Sequence, residues 1–180
     1  IKGRKIELIV RDDGQNAEQA RRAARELIDL RPEIVIGPVT SSMAAVVVPM
    51  MNEAQLTLIS PTVMSPDFHG KDDRFFRVNR TTTEAGIEHA RILRERKLKR
   101  VGIAFDASNP QYSDTWRQAF VDTFTALGGE ITGSVGFSSI ATPRFSAIIG
   151  ELLAGKPDTL LFISSSLDTA RLCQQARQQA

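Results

Sequence analysis

Short apolar runs alternate with amphipathic stretches along most of the chain. Residues 5–10, Lys-Ile-Glu-Leu-Ile-Val, are a β-branched apolar run closed by Asp12-Asp13-Gly14, the pattern of a strand followed by a turn. A helix comes next. Asn16 with Gln19 three residues on has capping-box spacing, and Ala20, Ala23, Ala24, Leu27 and Ile28 recur on one face, with Arg21, Arg22, Arg25 and Glu26 on the other. Arg31-Pro32 ends that helix. Residues 33–36, Glu-Ile-Val-Ile, then form the near-continuous apolar run of a strand buried on both faces of a parallel sheet, and Gly37-Pro38 stops it. Ser41 and Ser42 are placed to cap a helix through residue 53, with Pro49 kinking it or marking its last turns. Residues 56–59 are the next strand, ended by Ser60-Pro61.

The same grammar predicts a strand at 75–78 and a helix opened by Thr81 to Thr83 whose apolar face is Ile87, Ala90, Leu93 and Leu98. A strand at 101–105, a helix at 114–127, a strand at 131–137, a helix at 145–153 and a strand at 159–163 continue it, and residues 172–180 read as a further helix. Strands alternating with helices of about 10–15 residues predict an α/β fold of βαβ units, with mostly parallel sheets flanked on both faces by helices. The polar stretch Asn79-Arg80-Thr81-Thr82-Thr83 separates two equally regular halves, so the predicted lobes are 1–80 and 81–180 with a hinge near 79–83. Ligands of open α/β sheets bind beyond the carboxyl ends of the strands. That singles out the loops at 37–42, 60–65, 106–113 and 164–168, which are rich in Ser, Thr and Asn.

Composition removes several classes of function. The chain has 180 residues, a formal charge of +2 and one Cys. Cys173 has no partner for an internal disulfide, and His69 and His89 are too few and too far apart in sequence to suggest a metal cluster, so neither metal nor cofactor is expected. A net charge of +2 gives no sizeable field for nucleic acid or an anionic membrane. The longest apolar runs, such as residues 44–48, fall well short of the roughly 20 residues of a membrane helix. No Gly-rich phosphate loop is present, and no loop offers Ser or Cys near a His, so the chain is not expected to be an enzyme. Residues 1–5 carry no secretion-signal pattern. The last residues read as a helix that simply stops, the pattern of a piece of a longer chain.

The motifs, taken in order, resemble a known family. Asp12-Asp13-Gly14 follows a first strand, Gly37-Pro38-Val39-Thr40-Ser41-Ser42 a second, and Ile59-Ser60-Pro61-Thr62 a third. Asp106 to Tyr112 and Asp158-Thr159-Leu160-Leu161-Phe162 continue the order. The whole chain thereby resembles the type I periplasmic solute-binding proteins of the branched-chain amino-acid class. That resemblance implies two Rossmann-like lobes that close on a small ligand, an amino acid or related carboxylate or amide, and deliver it to the membrane subunits of an ABC importer from the periplasm or extracellular space. A ligand-sensing ectodomain carried on its own membrane segment is the alternative from the same fold, and an α/β enzyme domain is less well matched. The resemblance also implies that a leading strand and helix, the former central in the first sheet, and part of the second lobe are missing; self-association would be one way to cover an incomplete sheet.

Candidate binding residues follow from the loops and from this resemblance. Ser41 and Ser42 stand where a strand meets a helix, so hydroxyls and backbone N–H groups converge with the helix dipole behind them; plain helix capping accounts for them equally well. The resemblance favours Ser41 for a ligand carboxylate. It also points to the Ser60-Pro61-Thr62-Val63-Met64 loop, with Thr62 as the contact and Met64 where a Thr is common; a turn fixed by Pro61 is the plainer reading. Tyr112, the single Tyr, is the implied aromatic cover of the ligand, or else packs on its own helix beside Trp116. Ser165, between Ser164 and Ser166, stands where the resemblance implies aromatics, which suggests a more open or polar pocket, while a hydroxyl-fixed turn is the plainer reading; Asp106 and Asp168 are candidate ammonium partners or simple caps. His69 and His89 read as exposed side chains, and Cys173 as a small buried hydrophobe on a stripe with Ala170 and Ala176.

Overall fold

The computed structural model describes Gly3 and residues 5–179. They form two compact units, one of residues 1–63 and 71–78 and the other of 64–70 and 79–180.

In the first unit, helix α1 (Ala17–Leu30) starts at Asn16, whose side-chain oxygen accepts from the N–H groups of Glu18 and Gln19 at 3.0 and 3.1 Å. Gln19 does not complete a capping box; its amide donates to the Asp12 carbonyl instead. Helix α2 (Ser41–Glu53) packs on α1 and crosses between strands β1 (Val35–Ile36) and β2 (Leu58–Ser60). Strand β3 (Phe75–Arg77) follows in a parallel sheet of order β1-β2-β3. The register aligns Val35, Leu58 and Phe75, all buried, on one face. It aligns Ile36, Ile59 and Phe76 on the other, where Ile36 is 77% exposed. The expectation of a strand buried on both faces therefore fails at residues 33–36. Right-handed crossovers that step in one direction put their helices on one side of a sheet, and α2 is the crossover between β1 and β2.

The predicted strand at 5–10 is also corrected. Among the described residues it joins no sheet, and Leu8 is 82% exposed. An apolar alternating run becomes a strand only when a neighbour pairs its backbone, and among the described residues β1 pairs with β2 alone.

In the second unit, strand β4 (Arg100–Asp106) is central between β5 (Glu130–Phe137) and β6 (Thr159–Ile163), all parallel. Helices α3 (Thr82–Glu95) and α4 (Pro110–Ala126) cover one face, and α5 (Phe145–Ala154) and α6 (Ser166–Gln179) the other. The chain steps from β4 to β5 through α4 and then back across to β6 through α5, which is why helices lie on both faces here. Along β4 the side chains alternate: Val101 and Ile103 join Trp116, Phe120 and Phe124 on one face, while Ala104 meets Ile149, Leu152 and Leu172 on the other.

Helix α3 opens on a full capping box between Thr81 and Glu84 and lies close against α4 at Gly86. A Cβ placed on Gly86 would stand 2.5 Å from the Trp116 carbonyl oxygen and 3.0 Å from the Phe120 nitrogen, backbone atoms that cannot rotate aside. Alanine normally stabilises a helix by about 1 kcal/mol over glycine. Here overpacking, at about 1–3 kcal/mol, outweighs it, so Gly86→Ala is expected to lower the urea midpoint. A raised midpoint would disprove the close α3–α4 contact.

The amino end of β4 is pinned by Asp158, whose carboxylate accepts from the N–H groups of Lys99 at 2.7 Å and Arg100 at 3.0 Å. Those two bonds, helped by the charges of Arg100 and Lys99, hold the Asp158 carboxyl below the usual carboxylate range. A depressed folded-state pKa contributes stability that is present above the unfolded carboxyl value and lost as pH falls through the folded one. Asp158→Asn is therefore expected to lower stability near neutrality and to flatten its loss between about pH 5 and 2, read as urea midpoint against pH. Parallel wild-type and variant curves would remove Asp158 from the acid transition.

Candidate ligand-binding loops

In the first unit the predicted serines stand one position later than capping requires. Thr40 is the N-cap of α2, with an extended backbone and a side-chain oxygen accepting from the Met43 N–H at 3.3 Å. Ser41 and Ser42 are thus the first two helical residues, Ser41 only 2% exposed and Ser42 half-buried. The first turn of any helix presents N–H groups that the helix itself does not use, with the positive end of its dipole behind them, and that combination attracts carboxylates.

The loop before α2 is stitched to the loop after β2. Buried Ser60 donates its hydroxyl to the Pro38 carbonyl at 2.8 Å and accepts from the Val63 N–H at 3.2 Å. Thr62 is exposed and donates to the Val39 carbonyl at 2.6 Å. Ser60 and Thr62 therefore act first on their own backbone, and what they hold in place is the start of α2.

In the second unit Met64 is half-buried against the cluster of Trp116, Phe120 and Phe124, and its carbonyl accepts from the Thr82 N–H at 2.8 Å. Tyr112 sits in the first turn of α4 rather than in a loop and packs on the same cluster. Burial raises the pKa of its phenol, so the hydroxyl is a neutral donor at working pH. Ser165 is exposed just before α6; its hydroxyl donates to an Asp168 carboxylate oxygen at 3.0 Å and accepts from the Asp168 N–H at 3.2 Å. Arg171 stands 3.7 Å from the same buried carboxylate. Asp106, 8% exposed at the end of β4, accepts from Ser108 and Ser139.

Thr40, Ser113 and Ser139 are the residues the sequence reading passed over. Thr40 carried a signal, since a Thr directly before the first helical turn is a cap. Ser139 carried none, because nothing in the linear order says that the end of β5 lies beside the end of β4.

His69 is exposed, and His89, though exposed as a residue, sets its ring 5.1 Å from that of Trp116 with Nδ1 2.8 Å from the Ala85 carbonyl oxygen. Cys173 is half-buried and Ala170 exposed, so the stripe expected to be buried is not; α6 buries Asp168 and Leu172 instead. Among the described residues no group of three His, Cys, Asp or Glu side chains could hold a metal ion, and no helix is long and apolar enough to cross a membrane. An open pocket of about 520 Å³ is lined by Arg144, Phe145, Arg171 and Gln174 among others, and none of the predicted site residues lines it.

The sequence profile of the family described as periplasmic binding protein matches residues 1–179. The chain belongs to that family. This periplasmic binding protein is 29% identical over 167 residues to the Leu/Ile/Val-binding protein BraC3 of Rhizobium johnstonii, a match covering 90% of this chain and 44% of that protein. Among solved structures it is similar to the leucine-binding protein LivK from Thermotoga maritima, with a TM-score of 0.86, 26% identity, and coverage of 98% of this chain and 50% of the other. It shares its fold, with a TM-score of 0.85 at 21% identity, with a Rhodopseudomonas palustris ABC-transporter solute-binding protein in complex with 3,4-dihydroxybenzoic acid, covering 98% of this chain and 48% of that one. The chain spans about half the length of the relatives it matches.

Proposed function

We propose that this periplasmic binding protein captures, without chemical conversion, a small carboxylate-bearing ligand, an amino acid or related carboxylate or amide, and hands it to the membrane subunits of an ABC importer in the periplasm. The observation that carries the reading is the start of α2, where Ser41 and Ser42 open the helix and Ser60 and Thr62 fix the adjoining loops. A rigid helix start takes up a carboxylate with little reorganisation, since its dipole and donors are already aligned. Thr62 borders that position within the first unit; within the second unit, taken by itself, Met64, Tyr112 and Ser165 are the candidates for ligand contact. Names of relatives support the class from two directions: one is a Leu/Ile/Val-binding protein, and a structural neighbour holds an aromatic acid.

The test is the thermal midpoint of the chain in the presence of millimolar L-leucine, L-valine, 4-hydroxybenzoate, acetamide and glucose. A ligand at 1,000 times its dissociation constant contributes about 4 kcal/mol. The reading predicts a rise of several degrees with at least one carboxylate or amide and none with glucose. A rise with glucose alone would move the ligand class to sugars.

A further inference from the structure

Asp106 occupies a position that a ligand contact alone does not explain. It is the last residue of β4, and each polar group it offers as an acceptor is committed to a neighbouring loop. Its Oδ1 accepts from the Ser108 N–H at 2.9 Å, the Ser108 hydroxyl at 2.5 Å and the Ser139 N–H at 3.1 Å; its Oδ2 accepts from the Ser139 hydroxyl at 2.7 Å. The two hydroxyls, Ser108 and Ser139, are themselves 2.8 Å apart. Its backbone carbonyl accepts from the buried Ser113 hydroxyl at 2.6 Å, and Ser113 lies in the turn of α4 next to Tyr112. Beside it the Ala107 N–H donates to the Phe137 carbonyl at 2.7 Å. One residue thus joins the ends of two neighbouring parallel strands to the start of the helix that carries Tyr112.

We infer that Asp106 is a positioning residue: it clamps the loop after β4 to the loop after β5 and sets the place of the Tyr112-bearing turn, while its charge is spent on the protein's own donors and not on a ligand ammonium group. Four donors around one carboxylate leave little acceptor capacity, since an ionised carboxylate offers about four good sites. A strand-end carboxylate recruited by a ligand cation would have to give up some of these bonds, and each half-buried donor left without a partner would cost free energy. Ser139 becomes a positioning residue by the same geometry, although it lies more than 30 positions away in the chain.

The inference rests on the proposed binding function only for its ligand readout, so the experiment has two arms. The first needs no ligand: amide hydrogen exchange of the chain and of Asp106→Asn, Asp106→Ala and Ser139→Ala. Asn is the discriminating substitution. Its oxygen can accept at the Oδ1 position, and the hydroxyl of Ser139 can turn from donor to acceptor to meet its NH₂. Exchange at residues 107–113 and 139 is expected to stay close to wild type in Asp106→Asn and to speed about tenfold or more in Asp106→Ala and Ser139→Ala, with α5 and α6 unchanged. Wild-type exchange in both alanine variants would overturn the inference, whether or not a ligand is known.

The second arm measures affinity for L-leucine and 4-hydroxybenzoate by calorimetry. Positioning predicts that Asp106→Asn binds the probe within about threefold of wild type while Ser139→Ala, which removes no charge, weakens it. A loss in Asp106→Asn of about a hundredfold, with Ser139→Ala unaffected, would make Asp106 an ionic ligand contact and overturn the inference. If neither probe binds the wild type, the ligand class proposed above fails and the exchange arm still decides the role of Asp106.

Discussion

Phe120→Ala is expected to destabilise the second unit by about 3–5 kcal/mol, a large share of the roughly 5–15 kcal/mol that holds a typical domain folded. Phe120 is fully buried at the centre of an aromatic ladder on α4: its ring stacks 5.7 Å from Trp116 and 5.2 Å from Phe124. The i, i+4 spacing of the three rings places them on one helix face, and that face meets Val101, Ile103 and Ile163 of the sheet. Truncation would remove a ring from a site walled by α3, α4 and the sheet, and the close approach at Gly86 leaves α3 little room to settle inward. Chemical denaturation of the wild type and the variant measures the loss. A change below about 1 kcal/mol would mean that the site collapses easily and that the ladder is not the centre of this core.

The largest expected effect on binding is at Ser41. Ser41→Ala is expected to weaken the affinity for a carboxylate ligand about 10- to 100-fold, because hydrogen bonds to a charged group contribute about 1.5–3 kcal/mol and every 1.4 kcal/mol is tenfold. The fold should survive, since the N-cap of α2 is Thr40 and alanine suits the first turn of a helix. Calorimetric titration with the ligand found in the thermal screen decides the matter. Unchanged affinity would remove the start of α2 from the site and leave Ser41 as a buried first-turn residue.

How much of this was legible in the sequence differs between the two units. Helices were placed well wherever a cap and a periodic face agreed, as at Asn16 and at Thr81 with Glu84. The strand at 159–163 coincides with β6, and its neighbours at 101–105 and 131–137 fall within β4 and β5. In the first unit the apolar runs at 5–10 and 33–36 read as strands, yet only Val35 and Ile36 pair and only Val35 is buried. Apolar alternation reports that a segment can be a strand; whether it is one depends on a neighbour's backbone, which no local pattern encodes. The helix 110–126 begins four residues before its predicted start because Pro110 is tolerated in a first turn, and this moves Tyr112 out of a loop and onto α4.

Site residues followed the same division. Ser60 and Thr62 were legible as loop residues, but their carbonyl partners, more than 20 positions earlier in sequence, were not. Asp106 and Asp168 were read as strand-end carboxylates awaiting either a ligand or a cap, and the structure shows hydroxyl donors on both and backbone amide donors on Asp106 as well. The reading of Ser41 and Ser42 as caps erred by one residue because Thr, Ser and Ser follow one another and any of the three can cap.

The measurement that tests the central claim most directly is one-dimensional proton NMR of L-leucine and of 4-hydroxybenzoate incubated with the chain, combined with calorimetric titration of the same samples. Capture without conversion predicts saturable binding of one of them at about one site per chain, and a ligand spectrum that stays unchanged over hours. Appearance of a product, or the absence of saturable binding for both, would contradict it.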